Sequence, residues 1–190
     1  MSMDKKPTED WMNDEPLGKI ECSSTDCEND LHCFKRKRPK NESYRNGECI
    51  ECGANLIDWD RLDQLDLSDI EYTIRSLNLE LWRYYYWHKR IDEKAILHSR
   101  TRGLDELIPW TVKRLTKSVG PPSKDLWRDG TQTPLIGNIV YYAQHAIGCC
   151  CRKCIEEWYG INRNQSLKNE EINYFSELIT RYIHKRLPNL

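Results

Sequence analysis

Two cysteine pairs near the N-terminus and a switch to helical periodicity after residue 60 predict an α+β fold. A small ribbon of short β strands over residues 18–59 precedes a mainly α-helical domain over residues 60–190. The pairs are Cys22-x4-Cys27 and, after a 21-residue gap, Cys49-x2-Cys52 followed by Gly53. Four thiolates so placed can close a tetrahedron around Zn²⁺, and a glycine after the second pair suits the tight turn that aims both sulfurs at the metal. The expected ligands are Cys22, Cys27, Cys49 and Cys52, holding one structural Zn²⁺ worth on the order of 10 kcal/mol to a segment with little core of its own. Leu31-His32-Cys33-Phe34 and the run from Ala54 to Trp59 have strand-like composition. Cys33 is a fifth thiol. It either replaces Cys22 or Cys27 as a ligand or packs as a small apolar residue beside Phe34.

Residues 1–17 are polar and acidic and read as a disordered N-terminal segment without the basic start and apolar core of a signal peptide. Nine cysteines in two groups, an odd number, do not look like a disulfide framework. No apolar run approaches the roughly 18 residues needed to cross a bilayer. These features imply a soluble, reducing, cytoplasmic setting with no membrane partner.

A net charge of -1 gives no global attraction for nucleic acid. Locally, Lys35, Arg36, Lys37, Arg38 and Lys40 concentrate five cations inside the N-terminal segment, a pattern that suits phosphate contacts but also occurs on merely solvated loops. Arg100, Arg102, Lys113, Arg114 and Lys117 could extend such a surface.

The helical part opens with Ser68-x-x-Glu71, a capping-box pattern, and Ile70, Ile74, Leu77, Leu81 and Tyr85 then recur at three- and four-residue steps, predicting one helix of about five turns. The aromatic crowd Trp82, Tyr84, Tyr85, Tyr86, Trp87 exceeds one buried stripe, so some rings face a second element or a ligand. Asp92 should cap a helix reaching His98, and Pro109 should break or kink the segment that continues through Leu115. Ile172, Phe175, Ile179, Tyr182 and Ile183 mark a last amphipathic helix.

Within this domain His145 precedes Cys149-Cys150-Cys151-Arg152-Lys153-Cys154. His145, Cys150, Cys151 and Cys154 are the candidate ligands of a second metal site. Because neighbouring side chains on a helix diverge by about 100°, ligation by both Cys150 and Cys151 requires the helix to begin only at Cys151. A buried thiol cluster and a redox pair at Cys151-x-x-Cys154 are the alternatives. The proton-shuttling glutamate of zinc deaminases and the phosphate-binding glycine loop are missing, so no catalytic residue can be assigned.

The run Asp129-Gly130-Thr131-Gln132-Thr133-Pro134, then Tyr142-Ala143-Gln144-His145-Ala146, Cys150-Cys151-Arg152-Lys153-Cys154 and Trp158-Tyr159-Gly160-Ile161 resembles the signature of an uncharacterised bacterial family, a domain of unknown function. Members of that family carry histidine where this chain has Tyr159. The resemblance covers roughly residues 90–190 and implies no particular reaction. Three classes stay open on sequence: a zinc-stabilised protein that binds nucleic acid, a metal-dependent enzyme using His145 and the later cysteines, and an adaptor that contacts a protein partner.

Overall fold

A computed structural model describes residues 20–34 and 47–190. The N-terminal segment 1–17 and the cations Lys35, Arg36, Lys37, Arg38 and Lys40 lie outside the described residues. The helices are α1 (Trp59–Leu62), α2 (Ile70–Leu77), α3 (Leu81–His88), α4 (Glu93–Ser118), α5 (Ile139–Ala146), α6 (Arg152–Tyr159) and α7 (Asn169–Arg186).

α5 is the central helix. Ile139, Val140, Tyr142, Ala143 and Ala146 are all buried, because α3, α4 and α7 pack around it. Asn138 starts α5 by accepting the Val140 amide on its side chain at 2.9 Å. Asp92 caps α4 as expected, accepting from the Ala95 amide at 2.9 Å. Its other oxygen takes the Gly137 amide at 2.8 Å and the Tyr142 hydroxyl at 2.9 Å, tying the start of α4 to α5. The apolar stripe of α7 is as read from its spacing: Ile172, Phe175, Ile179, Tyr182 and Ile183 are buried.

The aromatic crowd on α3 faces other elements. Tyr86 stacks on His145 of α5 at 4.5 Å and Trp87 meets Tyr182 of α7 at 4.8 Å. Each ring buried this way contributes on the order of 2 kcal/mol. Among the described residues no helix is long and apolar enough to cross a membrane.

The α+β expectation is overturned. Among the described residues there is no sheet, only two isolated bridges, Asp26 with Leu31 and His32 with Glu80, so the fold is all-α with no strand-built ribbon. Residues 31–34 have strand-like composition, but the described residues offer them no adjacent strand. Leu79 and Leu81 take the backbone of His32 instead, the His32 amide donating to the Leu79 carbonyl at 2.7 Å and the Leu81 amide to the His32 carbonyl at 3.0 Å. The Ala54 to Trp59 run likewise ends in the start of α1, where Asp58 accepts the Arg61 amide.

That same pairing divides the expected five-turn helix. α2 ends at Leu77 and α3 starts at Leu81, which leaves the Leu79 carbonyl and the Leu81 amide to pair with His32. Ser68 is not the cap there. Asp66 accepts from the Ser68 amide and heads a short 3-10 turn instead. α4 is interrupted at Gly103, whose φ of 67° and ψ of 171° suit glycine, whereas Pro109 lies within helical backbone.

Candidate metal centres

The first centre gathers Cys27, His32, Cys49 and Cys52, whose ligand atoms all lie within 4.8 Å of one another. Cys27 and Cys49 sulfurs are 3.8 Å apart. The Cys52 sulfur is 3.4 Å from His32 Nδ1. With Zn–S bonds of about 2.3 Å and Zn–N bonds of about 2.0–2.1 Å, a tetrahedron has S–S edges of about 3.8 Å and S–N edges of about 3.6 Å. Both observed edges fit a single ion. Local structure explains how the chain reaches this arrangement: Gly53, at φ 72°, closes a turn by donating its amide to the Cys49 carbonyl at 2.9 Å, and His32 is clamped through its backbone to residues 79 and 81.

Electrostatics divide the thiols. Burial raises Cys49, but backbone hydrogen bonds at Cys52, Cys33 and Glu51, with help from His32, outweigh it and bring the thiol down to about 6. Burial, then hydrogen bonding to Cys52 and Cys49, pushes Cys27 up to about 12. A metal therefore finds a ready thiolate at Cys49 and must displace a proton from Cys27.

The second centre is Cys150, Cys151 and Cys154, again within 4.8 Å of one another and buried. Cys151 has extended backbone (φ -157°, ψ 167°) and α6 begins at Arg152, so the helix starts just where joint use of Cys150 and Cys151 requires. The Cys151 sulfur accepts the Cys154 amide at 3.5 Å. The loop is braced by its neighbours: Thr133 Oγ1 donates to the Cys150 carbonyl at 2.8 Å, and Gln144 Nε2 donates to the Cys149 carbonyl at 3.2 Å. Gly148 (φ 75°) precedes it, and a Cβ there would lie 3.3 Å from the Trp158 ring. Hydrogen bonds among the three thiols, acting in both directions, and then burial leave each of them raised to about 12.

The cation beside these thiols is one that sequence spacing gives no hint of. Arg83 of α3 is 2% exposed and places Nη1 3.8 Å from the Cys150 sulfur and 2.7 Å from the His145 carbonyl. Its Nε donates to Glu80 Oε2 at 2.9 Å, and the same oxygen accepts from Trp158 Nε1 at 2.8 Å. Burial alone would lower the Arg83 guanidinium, but the charges of Cys154, Glu80 and Cys150 hold it well above its ordinary value. Arg152, the sequence neighbour, is spent elsewhere, donating to the carbonyls of Val119, Asn162 and Gln165.

Of the residues singled out by spacing, Cys27, Cys49 and Cys52 come together, with His32 in the set rather than Cys22. Cys33 is buried and its sulfur donates to the Cys22 carbonyl at 3.6 Å. Cys149 is buried outside the second set. His145 is not in that set either: its Nε2 lies 3.2 Å from the Pro134 carbonyl, its Nδ1 is buried with no hydrogen-bond partner, and burial followed by Arg83 lowers it to about 4. Tyr159 bonds the Ile147 carbonyl. Arg114, one of the dispersed cations, donates to the Gln132 carbonyl at 2.8 Å and sits over the Tyr141 ring.

The two centres meet through one buried seam. Glu80, flanked by the residues that hold His32, carries Arg83 and Trp158, and the Trp158 ring packs against Phe34 at 6.1 Å and Trp59 at 5.5 Å. Fold and sites together define a helical protein with two Cys/His clusters that could each hold a metal ion. The family model described as Domain of unknown function (DUF4186) matches residues 71–184, more than half of the chain, and the protein belongs to that family. The match includes the second cluster and begins after the first. No solved structure matches the chain.

Proposed function

We propose that this is a zinc-stabilised binding protein whose N-terminal segment contacts nucleic acid. Cys27, His32, Cys49 and Cys52 hold one structural Zn²⁺, and the observation that carries this is a four-atom donor set with edges matching a zinc tetrahedron. A full shell leaves no open position for chemistry. Lys35, Arg36, Lys37, Arg38 and Lys40 fall in sequence between the ligands His32 and Cys49. Zinc thereby ties together the residues that flank the cationic segment in sequence, His32 and Cys49, which supports a role for that segment in contacting phosphates.

Five such contacts would make log K fall with log salt by a slope of up to about 4 to 5, or roughly 500-fold between about 50 and about 200 mM. Binding would be largely independent of sequence. The test is an electrophoretic shift of single- and double-stranded DNA and RNA by the full chain, with Lys35, Arg36, Lys37 and Arg38 replaced by serine as the comparison. A shift that the serine variant loses supports the reading. No shift by the unmodified, zinc-loaded protein at low salt refutes it and leaves a protein partner as the better account.

A further inference from the structure

Among the described residues the second cluster differs from the first in stopping at three ligands. All nine cysteines and all five histidines of the chain lie within the described residues, yet none of the others joins Cys150, Cys151 and Cys154 in a set of mutually close donors. The three sulfurs sit on a loop that several donors hold in place. Thr133 and Gln144 fix the carbonyls of Cys150 and Cys149, the Cys154 amide points at the Cys151 sulfur, and a buried guanidinium lies against Cys150. Of these donors, the buried guanidinium and the Cys154 amide favour negative charge on a sulfur, while Thr133 and Gln144 satisfy buried carbonyls and so fix the loop that carries the thiols.

We propose that Cys150, Cys151 and Cys154 bind a single thiophilic divalent ion, Zn²⁺ by its chemistry, as three thiolates, and that its fourth position belongs to an exchangeable ligand from solution. On binding, three S–H bonds are replaced by three S–metal bonds and three protons pass to solvent. Sulfurs within 4.8 Å can close on one ion, for which about 3.8 Å is the ideal edge, whereas an iron–sulfur cluster spreads its thiolates over several irons. Three thiolates and a dication leave one net negative charge, which lies beside the Arg83 guanidinium at Cys150; because Glu80 shares that guanidinium, the buried group as a whole keeps one negative charge. Three protein ligands plus an exchangeable one is the arrangement of a reactive rather than a purely structural zinc site. This site is independent of the nucleic-acid reading.

The test uses the full chain, stripped of metal under reducing conditions and titrated with Co²⁺ alone. Two ions per chain should bind, and Cys151→Ser with Cys154→Ser should bind one. The absorption of the second ion should shift when a small thiol is added, a shift absent in the double variant. His145→Ala should keep both ions and the shift. Loss of the second ion in His145→Ala would mean a closed four-ligand site and overturn the open position. In case the cysteine variants do not fold, alkylation of the unmodified protein gives an independent readout: Cys150, Cys151 and Cys154 should be protected with Zn²⁺ present and labelled after chelation. Binding of one ion that leaves Cys150, Cys151 and Cys154 as open to alkylation as in the metal-free chain, or a disulfide among these residues in the protein as isolated, would overturn the proposal.

Discussion

Replacing Arg83 by methionine should destabilise the protein severely, out of proportion to the volume removed. The guanidinium and the Glu80 carboxylate are 2% and 3% exposed, so solvent does little to screen them. Without Arg83 the carboxylate keeps one donor, Trp158 Nε1, and the His145 carbonyl loses the donor at 2.7 Å. Breaking a buried pair in this way costs about 3–5 kcal/mol, chiefly because a charge is left buried and uncompensated. For a chain of this size that corresponds to a fall in melting temperature of roughly 6–20 °C. Glu80→Gln in the same molecule removes the stranded charge, so the double variant should recover a large part of the loss. The assay is urea and thermal unfolding of the four members of this double-mutant cycle at one fixed zinc concentration. If Arg83→Met costs under about 1 kcal/mol, or if the two losses simply add, the buried pair does not organise this region and the reasoning fails.

Two further outcomes follow from named contacts. His145 is held at about 4 against an ordinary value of 6.5, so its neutral ring stabilises the fold fully above about pH 6.5 and that stability, about 3 kcal/mol, is lost as pH falls towards 4. His145→Phe should flatten this part of the stability profile relative to the unmodified chain, and identical profiles would contradict the assignment. Trp158→Leu leaves a void against Phe34 and Trp59 and takes a donor from Glu80. It should cost about 3–5 kcal/mol and make the region around the first centre cleave faster in limited proteolysis, and unchanged cleavage would show that the seam does not hold the two parts together.

Helix ends and apolar stripes were legible where a single residue or a single period decides them. Asp92 reads as a cap and acts as one, and the α7 stripe lies where its spacing puts it. The start of α6 after Cys151 meets the condition that the sequence sets for joint use of Cys150 and Cys151. Long-range effects were not legible. The break between α2 and α3 exists because His32, almost fifty residues away in sequence, takes its backbone partners from residues 79 and 81, and no local period records that. The same pairing turns a strand-like composition at residues 31–34 into an isolated bridge. His32 was passed over because cysteine pairs dominate the spacing. Its place five residues after Cys27, which allows a Cys-x4-His pairing, was the available signal. Arg83 sits on an aromatic helix and Glu80 at that helix's N-terminal cap, where charges would ordinarily point outward, and only their burial shows that they pair in the interior, with Arg83 against Cys150.

Zinc content measured on two single variants decides whether the first centre is built from Cys27, His32, Cys49 and Cys52. His32→Ala should release one Zn²⁺ per chain relative to the unmodified protein, whereas Cys22→Ser should retain it. Retention by His32→Ala together with release by Cys22→Ser would contradict the account and return the site to four thiolates.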